Sequence, residues 1–305
     1  KLLCCLTCIL LYYYITFFKY IFISRMRILF LLLYLLAPGH LLANDNVQVV
    51  TSIRPIQLIT NEIMHGAGQS ELLIQSDQSP HHFQLKPSQL KIASKTDLLI
   101  WVSDDFETGL NRLKNALPSR GITLELIKSF PANHLIGDNH DIDGHIWLSP
   151  ENITLIAQLI TQKLLQIDPS NQQLYLDNSL QLIKKVTDWK QKSQKTLRAI
   201  QPKYILEHQF LAYLEKSFGI KNIGSFRNNH DQGSSIRQLS ALHETLQKTP
   251  AKCLLIVREP MDKQAKQLSS QYDLKVERVR LLGEDSSIKS IIDLLDEIVK
   301  QLSSC

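Results

Sequence analysis

The chain has 305 residues, with 34 Lys and Arg against 29 Asp and Glu, and a formal net charge of +5. That length allows two domains, each with its own core. The basic excess is small and comes without any basic run or basic-aromatic interleaving, so the composition argues against nucleic acid as a partner.

The start of the chain is different material. Lys1 to Arg25 is nearly uncharged, rich in aromatics, and does not begin with Met. Met26-Arg27 then supplies a short basic start, the apolar run Ile28 to Leu36 follows, and Leu41-Leu42-Ala43 closes the pattern. This is the form of a secretory signal peptide, with cleavage expected after Ala43. The apolar run is too short to span a bilayer. The expectation is that translation starts at Met26, that Lys1 to Arg25 is upstream sequence, and that the mature chain begins at Asn44. A membrane anchor in Leu2 to Ile23 is the competing reading. Cys4, Cys5 and Cys8 fall in the discarded region, which leaves Cys253 and Cys305. Two cysteines in an exported chain point to a disulfide, with two free thiols as the alternative.

Val47 to Ile53 reads as a buried strand that Pro55 ends, and Ile56, Ile59 and Ile63 then recur at helical spacing. Strands follow at Glu71 to Ile74, Asp97 to Val102 and Thr123 to Ile127. Helices are expected from Lys86-Pro87 to Ser94 and from Phe106 to Leu117. Strands alternating with helices predict a parallel sheet. A polar loop, Pro131 to Gly144, carries His134, Asp138, His140, Asp141 and Asp143. Ser149 then caps a helix that has Pro150 at its first position. After the break at Asp168-Pro169-Ser170, a long helix is expected to run to Ile200. Its apolar face is read as Leu176, Leu180, Ile183, Trp189, Leu197 and Ile200. Such a helix would span roughly 45 Å; two shorter helices broken near Ser193 are the alternative.

The second half repeats the alternation. Strands are expected at Tyr204 to Leu206, Asn222 to Phe226, Cys253 to Arg258 and Lys275 to Arg280. Helices are expected at Gln209 to Phe218, Ser235 to Lys248, Asp262 to Gln271 and Ser287 to Leu302. The fold class is therefore α/β, with two domains that each hold a mostly parallel sheet flanked by helices, joined by one long connecting helix. The divisions are 1–43, an N-terminal domain at 44–168, the connecting helix at 169–201, and a C-terminal domain at 202–305. Ligands of such sheets bind beyond the carboxyl ends of the strands.

Three histidines occupy equivalent local contexts: His81 in Ser79-Pro80-His81-His82-Phe83, His145 in Asp143-Gly144-His145-Ile146-Trp147-Leu148-Ser149-Pro150, and His208 after Tyr204-Ile205-Leu206-Glu207. Each stands at or after the end of a strand or turn, on a loop that opens a helix. One such histidine is ordinarily a solvated loop residue. Three in matching positions suggest imidazoles brought together on one metal ion. His82 is the register rival of His81.

At these motifs the chain resembles the periplasmic substrate-binding proteins of zinc ABC transporters, the ZnuA-like proteins, whose cluster also holds manganese binders and streptococcal adhesins. The resemblance covers most of Val49 to Cys305. It is carried by Val50-Thr51-Ser52-Ile53-Arg54-Pro55, Ser79-Pro80-His81 with Lys86-Pro87-Ser88, Ala93 to Val102, and His145-Ile146-Trp147-Leu148-Ser149-Pro150. It implies a monomeric carrier that takes Zn²⁺ in the periplasm and delivers it to an inner-membrane permease. His81, His145 and His208 match three metal-ligand positions of the family, and Cys253 and Cys305 match a cysteine pair of its zinc-specific members. Neutral imidazole suits Zn²⁺, whereas Mn²⁺ prefers carboxylate oxygen. A carrier of manganese or another divalent metal, or an adhesin of the same fold, is the alternative.

The chain also departs from the family pattern. The histidine-rich loop is shrunk to Pro131 to Gly144. Gln209 stands where the family usually has Asp, and Pro80 where some members have a carboxylate. Arg280-Leu281-Leu282-Gly283 stands where the family often has Asp-Pro-Leu-Gly. The fourth metal position is left to water, Glu259 or His230. A zinc hydrolase would also use three histidines and an open position. Neither a His-Glu-x-x-His nor a Gly-x-Ser-x-Gly motif occurs, and binding without covalent chemistry is the expected function.

Overall fold

The computed structural model describes residues 47–137, 142–227, 234–257 and 259–305, together with Lys19 and Arg25. The expected signal peptide, the mature start at Asn44, Asp138, His140, Asp141 and His230 lie outside the described residues. Both sheets belong to the compact unit Asn46–Cys305.

The first sheet holds β1 (Val49–Thr51), β2 (Glu71–Leu72), β3 (Leu98–Trp101) and β4 (Ile122–Glu125). All its pairs are parallel, in the order β2-β1-β3-β4. β1 and β3 are buried along their whole length, as parallel strands covered on both faces must be. The flanking helices are α1 (Arg54–Ile63), α2 (Pro87–Ala93), α3 (Leu126–Ser129) and α4 (Pro150–Ile167). After α5 (Gln172–Ile200) the second sheet repeats the plan. It holds β5 (Tyr204–Leu206), β6 (Gly224–Ser225), β7 (Cys253–Ile256) and β8 (Lys275–Arg278), in the parallel order β6-β5-β7-β8. Its helices are α6 (Ala212–Phe218), α7 (Ile236–Lys248), α8 (Lys263–Tyr272) and α9 (Ile291–Ser303). In each sheet the chain reverses direction across the pair β1/β3 or β5/β7. That switch point is where an open parallel sheet leaves a crevice at its carboxyl edge.

The expected alternation and the two-domain α/β class are both present. The strands are shorter than their apolar runs, because the chain turns into a helix or loop as soon as pairing stops. Two expectations need correction. The helix expected over 106–117 is instead a turn followed by two 3-10 turns, Leu110–Arg112 and Lys114–Ala116. Glu107 folds back to accept from the backbone of Val102 and Ser103. Gly109 lies against Phe83, so close that an added Cβ would stand 2.2 Å from its carbonyl oxygen.

The second correction is the register of α5. It is one continuous helix of 29 residues, about 44 Å long. Its buried stripe is Tyr175, Ser179, Leu182, Val186, Trp189, Ser193 and Leu197, which keeps Trp189 and Leu197 of the expected face and replaces the rest. Leu180, expected inside, is 66% exposed. Apolar residues recur on both sides of this helix, and only the partners decide which side is covered. α5 packs against α1, α4 and α9. The Trp189 indole donates to Asp296 of α9 at 2.8 Å.

Cys253, the first residue of β7, is bonded to Cys305 just past α9, with Cα atoms 5.4 Å apart. The bond closes a segment of sequence separation 52. On the chain-entropy account a loop of this length contributes ~4 kcal/mol. Reduction should lower the unfolding free energy by about that amount, read as a shift to lower urea concentration. Superimposable transitions with and without reductant would refute the contribution.

Candidate metal centre

The segment 146–148 has three apolar residues that are all fully buried, Ile146, Trp147 and Leu148. The three form a tight 3-10 turn, and Ser149 then caps α4 by accepting from the Asn152 amide. His145 is the residue that enters this turn, and it is 8% exposed. Asp143 holds it twice through the same Oδ1. That oxygen accepts from the His145 amide at 2.9 Å and lies 2.7 Å from ring Nδ1. A carboxylate at Nδ1 assigns the proton there and leaves the Nε2 lone pair to bind a metal.

His208 follows Glu207 at the carboxyl end of β5 and is 3% exposed. Glu207 pins this end of the strand to β7, because its Oε2 accepts from the Val257 amide at 3.0 Å. The chain then turns sharply, with the Phe210 amide donating back to the His208 carbonyl at 2.9 Å. The His145 and His208 ring centroids are 6.2 Å apart. Two imidazoles on one tetrahedral zinc have centroids about 5 Å apart, given a Zn–N bond of about 2.0–2.1 Å. The pair therefore needs to close by roughly 1 Å.

His81 comes from the loop after β2. The Thr108 hydroxyl donates to its carbonyl at 3.2 Å, and its ring meets Phe106 edge to face at 4.6 Å. Phe106 also meets His145 at 5.6 Å and Trp147 at 5.8 Å. The aromatic ring is thus a shared spacer for two of the three histidines. It fits because residue 144 is glycine: a Cβ there would stand 2.0 Å from Phe106 Cδ2. His81, His145, Phe106, Val257, Glu259 and Arg278 line one cleft of ≈ 540 Å³. As they stand, no three His, Cys, Asp or Glu side chains among the described residues are close enough together to hold an ion.

The other sequence candidates are placed as follows. His82 is exposed at the edge of the same cleft. Glu259 lines the cleft, but its side chain is 59% exposed and paired with Arg278 at 3.1 Å. Arg278 also lies 3.6 Å from Glu284. Burial pushes the Glu284 carboxyl up, against the pull of Arg278 and Arg280. His134 of the shortened loop faces Asn152, with Nδ1 3.1 Å from its side-chain oxygen. Sequence reasoning missed the roles of Asp143, Phe106 and Glu107. An acidic residue two positions before a candidate ligand was the available sign for Asp143.

Glu107 braces the turn that carries Phe106. It is fully buried and accepts from the Ser52 hydroxyl at 2.5 Å and the amides of Val102 and Ser103. Burial pushes its carboxyl up to about 7, although these donors pull it down.

The family model described as "Zinc-uptake complex component A periplasmic" matches residues 49–305. The high-affinity zinc uptake system protein ZnuA of Haemophilus ducreyi is 26% identical, over 85% of this chain and 93% of its own length. Among solved structures, a crystal structure of ZnuA superposes with a TM-score of 0.75 at 20% identity, covering 86% of this chain and 99% of that one. A manganese-bound mutant of a periplasmic metal-binding protein from candidatus liberibacter asiaticus gives 0.73 at 18% identity, covering 85% and 98%. Likeness at these identities speaks for the fold.

Glu107 gives a prediction for pH. Its folded value lies above the ordinary 4.5. The folded state therefore binds its proton more tightly, and that stabilisation is complete below 4.5 and lost as pH rises through about 7. The loss amounts to ~3 kcal/mol. In denaturant unfolding, the stability of the wild type relative to Glu107→Gln should therefore fall between pH 5 and 8. Parallel pH profiles for the two proteins would refute the assignment.

Proposed function

The chain belongs to the zinc-uptake complex component A family, and from that premise we propose that it captures Zn²⁺ in the periplasm and delivers it to the permease of an ABC transporter. The observation that carries this reading is the approach of His145 and His208 from different domains, with Nδ1 of His145 already taken by Asp143. The ligand set is His81, His145 and His208. Glu259, His230 or water completes it, and Glu259 would first have to leave Arg278.

Imidazole nitrogen favours zinc over manganese, which seeks carboxylate oxygen. Arg280 replaces a family carboxylate and moves the balance further from manganese. The function is binding without covalent chemistry. Glu207, the carboxylate beside His208, is occupied by the Val257 amide and faces Arg227 at 3.9 Å, which leaves it a poor general base. The manganese-carrier reading is supported only by likeness of fold to a manganese-bound relative.

The test is metal titration of the mature chain by chelator competition. Zn²⁺ should bind far more tightly than Mn²⁺, and the bound ion should be removable and restorable. His145→Ala should weaken zinc by about 100-fold or more while the metal-free fold persists. Affinity should also fall from pH 7 to pH 5, because each imidazole must lose its proton to ligate. Wild-type affinity in His145→Ala, or preference for Mn²⁺, would overturn the reading.

A further inference from the structure

The polar loop that precedes His145 is closed at its neck by a residue of the other domain. The Asp143 amide donates to the Ile136 carbonyl at 2.9 Å, which brings the two ends of the loop together. Tyr213, on α6, completes the closure with its hydroxyl. It donates to the Asp143 carbonyl at 2.8 Å and accepts from the Ile136 amide at 3.1 Å. The phenol is buried, and burial pushes its ionisation up, so the hydroxyl keeps the proton that it donates. One side of the Asp143-Gly144-His145 segment is thus held by Tyr213. The other side is held by Phe106, which occupies the space a side chain at residue 144 would need. α6 itself begins at Ala212, directly after the turn that carries His208. One hydroxyl therefore joins the segment bearing His145 to the helix that follows His208.

We infer that Tyr213 is a positioning residue for metal binding: its hydroxyl fixes the backbone of Asp143, whose carboxylate orients the His145 ring against His208. The inference rests on the metal reading above. It identifies a contact between domains that sets ring spacing, rather than another ligand. Ser217 on the same helix supplies an internal comparison. Its hydroxyl reaches Ser149 at 3.2 Å and Glu151 at 3.0 Å, so it also crosses between domains without leading to Asp143.

The experiment uses the mature chain and Zn²⁺ in chelator competition, with metal-free thermal melts to verify folding. Tyr213→Phe keeps the ring and removes only the hydroxyl. Loss of a group that orients a metal histidine costs about 10–100-fold in affinity, and Tyr213→Phe, one step removed, should cost about 10-fold. Ser217→Ala should leave affinity unchanged. Co²⁺ bound to Tyr213→Phe should show an altered visible d–d spectrum, which general destabilisation would not produce. If Tyr213 acts through Asp143, then Tyr213→Phe made in an Asp143→Ala background should cause little further loss. Should the variant not fold, amide exchange of the wild type serves instead, with the Ile136 amide slowing when Zn²⁺ is added. Wild-type affinity in Tyr213→Phe, losses that add in the double variant, or unchanged Ile136 exchange would each overturn the inference. If His145→Ala also binds normally, the metal reading falls with it. If His145→Ala loses zinc and Tyr213→Phe does not, only the role of Tyr213 falls.

Discussion

The buried stripe of α5 determines where the two sheets can sit. Tyr175, Leu182, Val186, Trp189 and Leu197 fill the seam, and Ser179 and Ser193 let neighbouring helices come close. Because the helix is unbroken, a wide swing of one sheet against the other would have to bend it or strip apolar surface from it. Removing a buried Trp or Leu side chain from such a seam costs about 2–5 kcal/mol. Shorter ties act in the same sense. Arg54 at the start of α1 donates to the Ile288 carbonyl at 2.8 Å, beside Gly283. Lys190 of α5 pairs with Glu151 of α4. A metal ion held as proposed above would therefore meet a frame that is already set, with the His145 and His208 rings left to close by roughly 1 Å.

Within that frame the three histidines are held in different ways. His208 is fixed by the sheet, at a strand end that Glu207 fastens to β7. His145 is fixed by a buried turn and a carboxylate. His81 is fixed by a backbone contact and by Phe106, which it shares with His145. Phe106 touches two of them, so any shift of its turn bears on His81 and His145 together. Arg278 affects the cleft differently. It is shared between Glu259 and Glu284 at the rim, so Glu259 can turn to another cation only by giving up its part of that pairing.

Much of this was readable in the chain. Strand and helix alternation gave the sheets, because a parallel strand buried on both faces reads as an apolar run. Matching local contexts singled out His81, His145 and His208 as candidates, and the expected leader set Cys253 and Cys305 apart as the pair that is bonded. Other features depend on contacts distant in sequence. The side of α5 that is covered is chosen by α1, α4 and α9, so Leu180 could not be distinguished from Leu182 by periodicity alone. The turn over 103–109 depends on Glu107 reaching backbone amides and on Phe83 pressing against Gly109. Nothing in the local sequence marks Tyr213, because its hydroxyl partners lie 70 residues or more away.

The bond between Cys253 and Cys305 lies wholly within the half of the chain built on the second sheet. It encloses β7, α8, β8 and α9, and nothing that precedes residue 253. Oxidation can therefore proceed on a chain whose first sheet has not yet assembled. Reduction removes the covalent tie between the end of α9 and β7. That helix carries Asp296, the partner of Trp189 on α5, and the Ile288 carbonyl that Arg54 holds lies just before it. The disulfide and the two contacts that tie α9 and its approach to α5 and α1 thus lie on one short stretch of chain, residues 288–305.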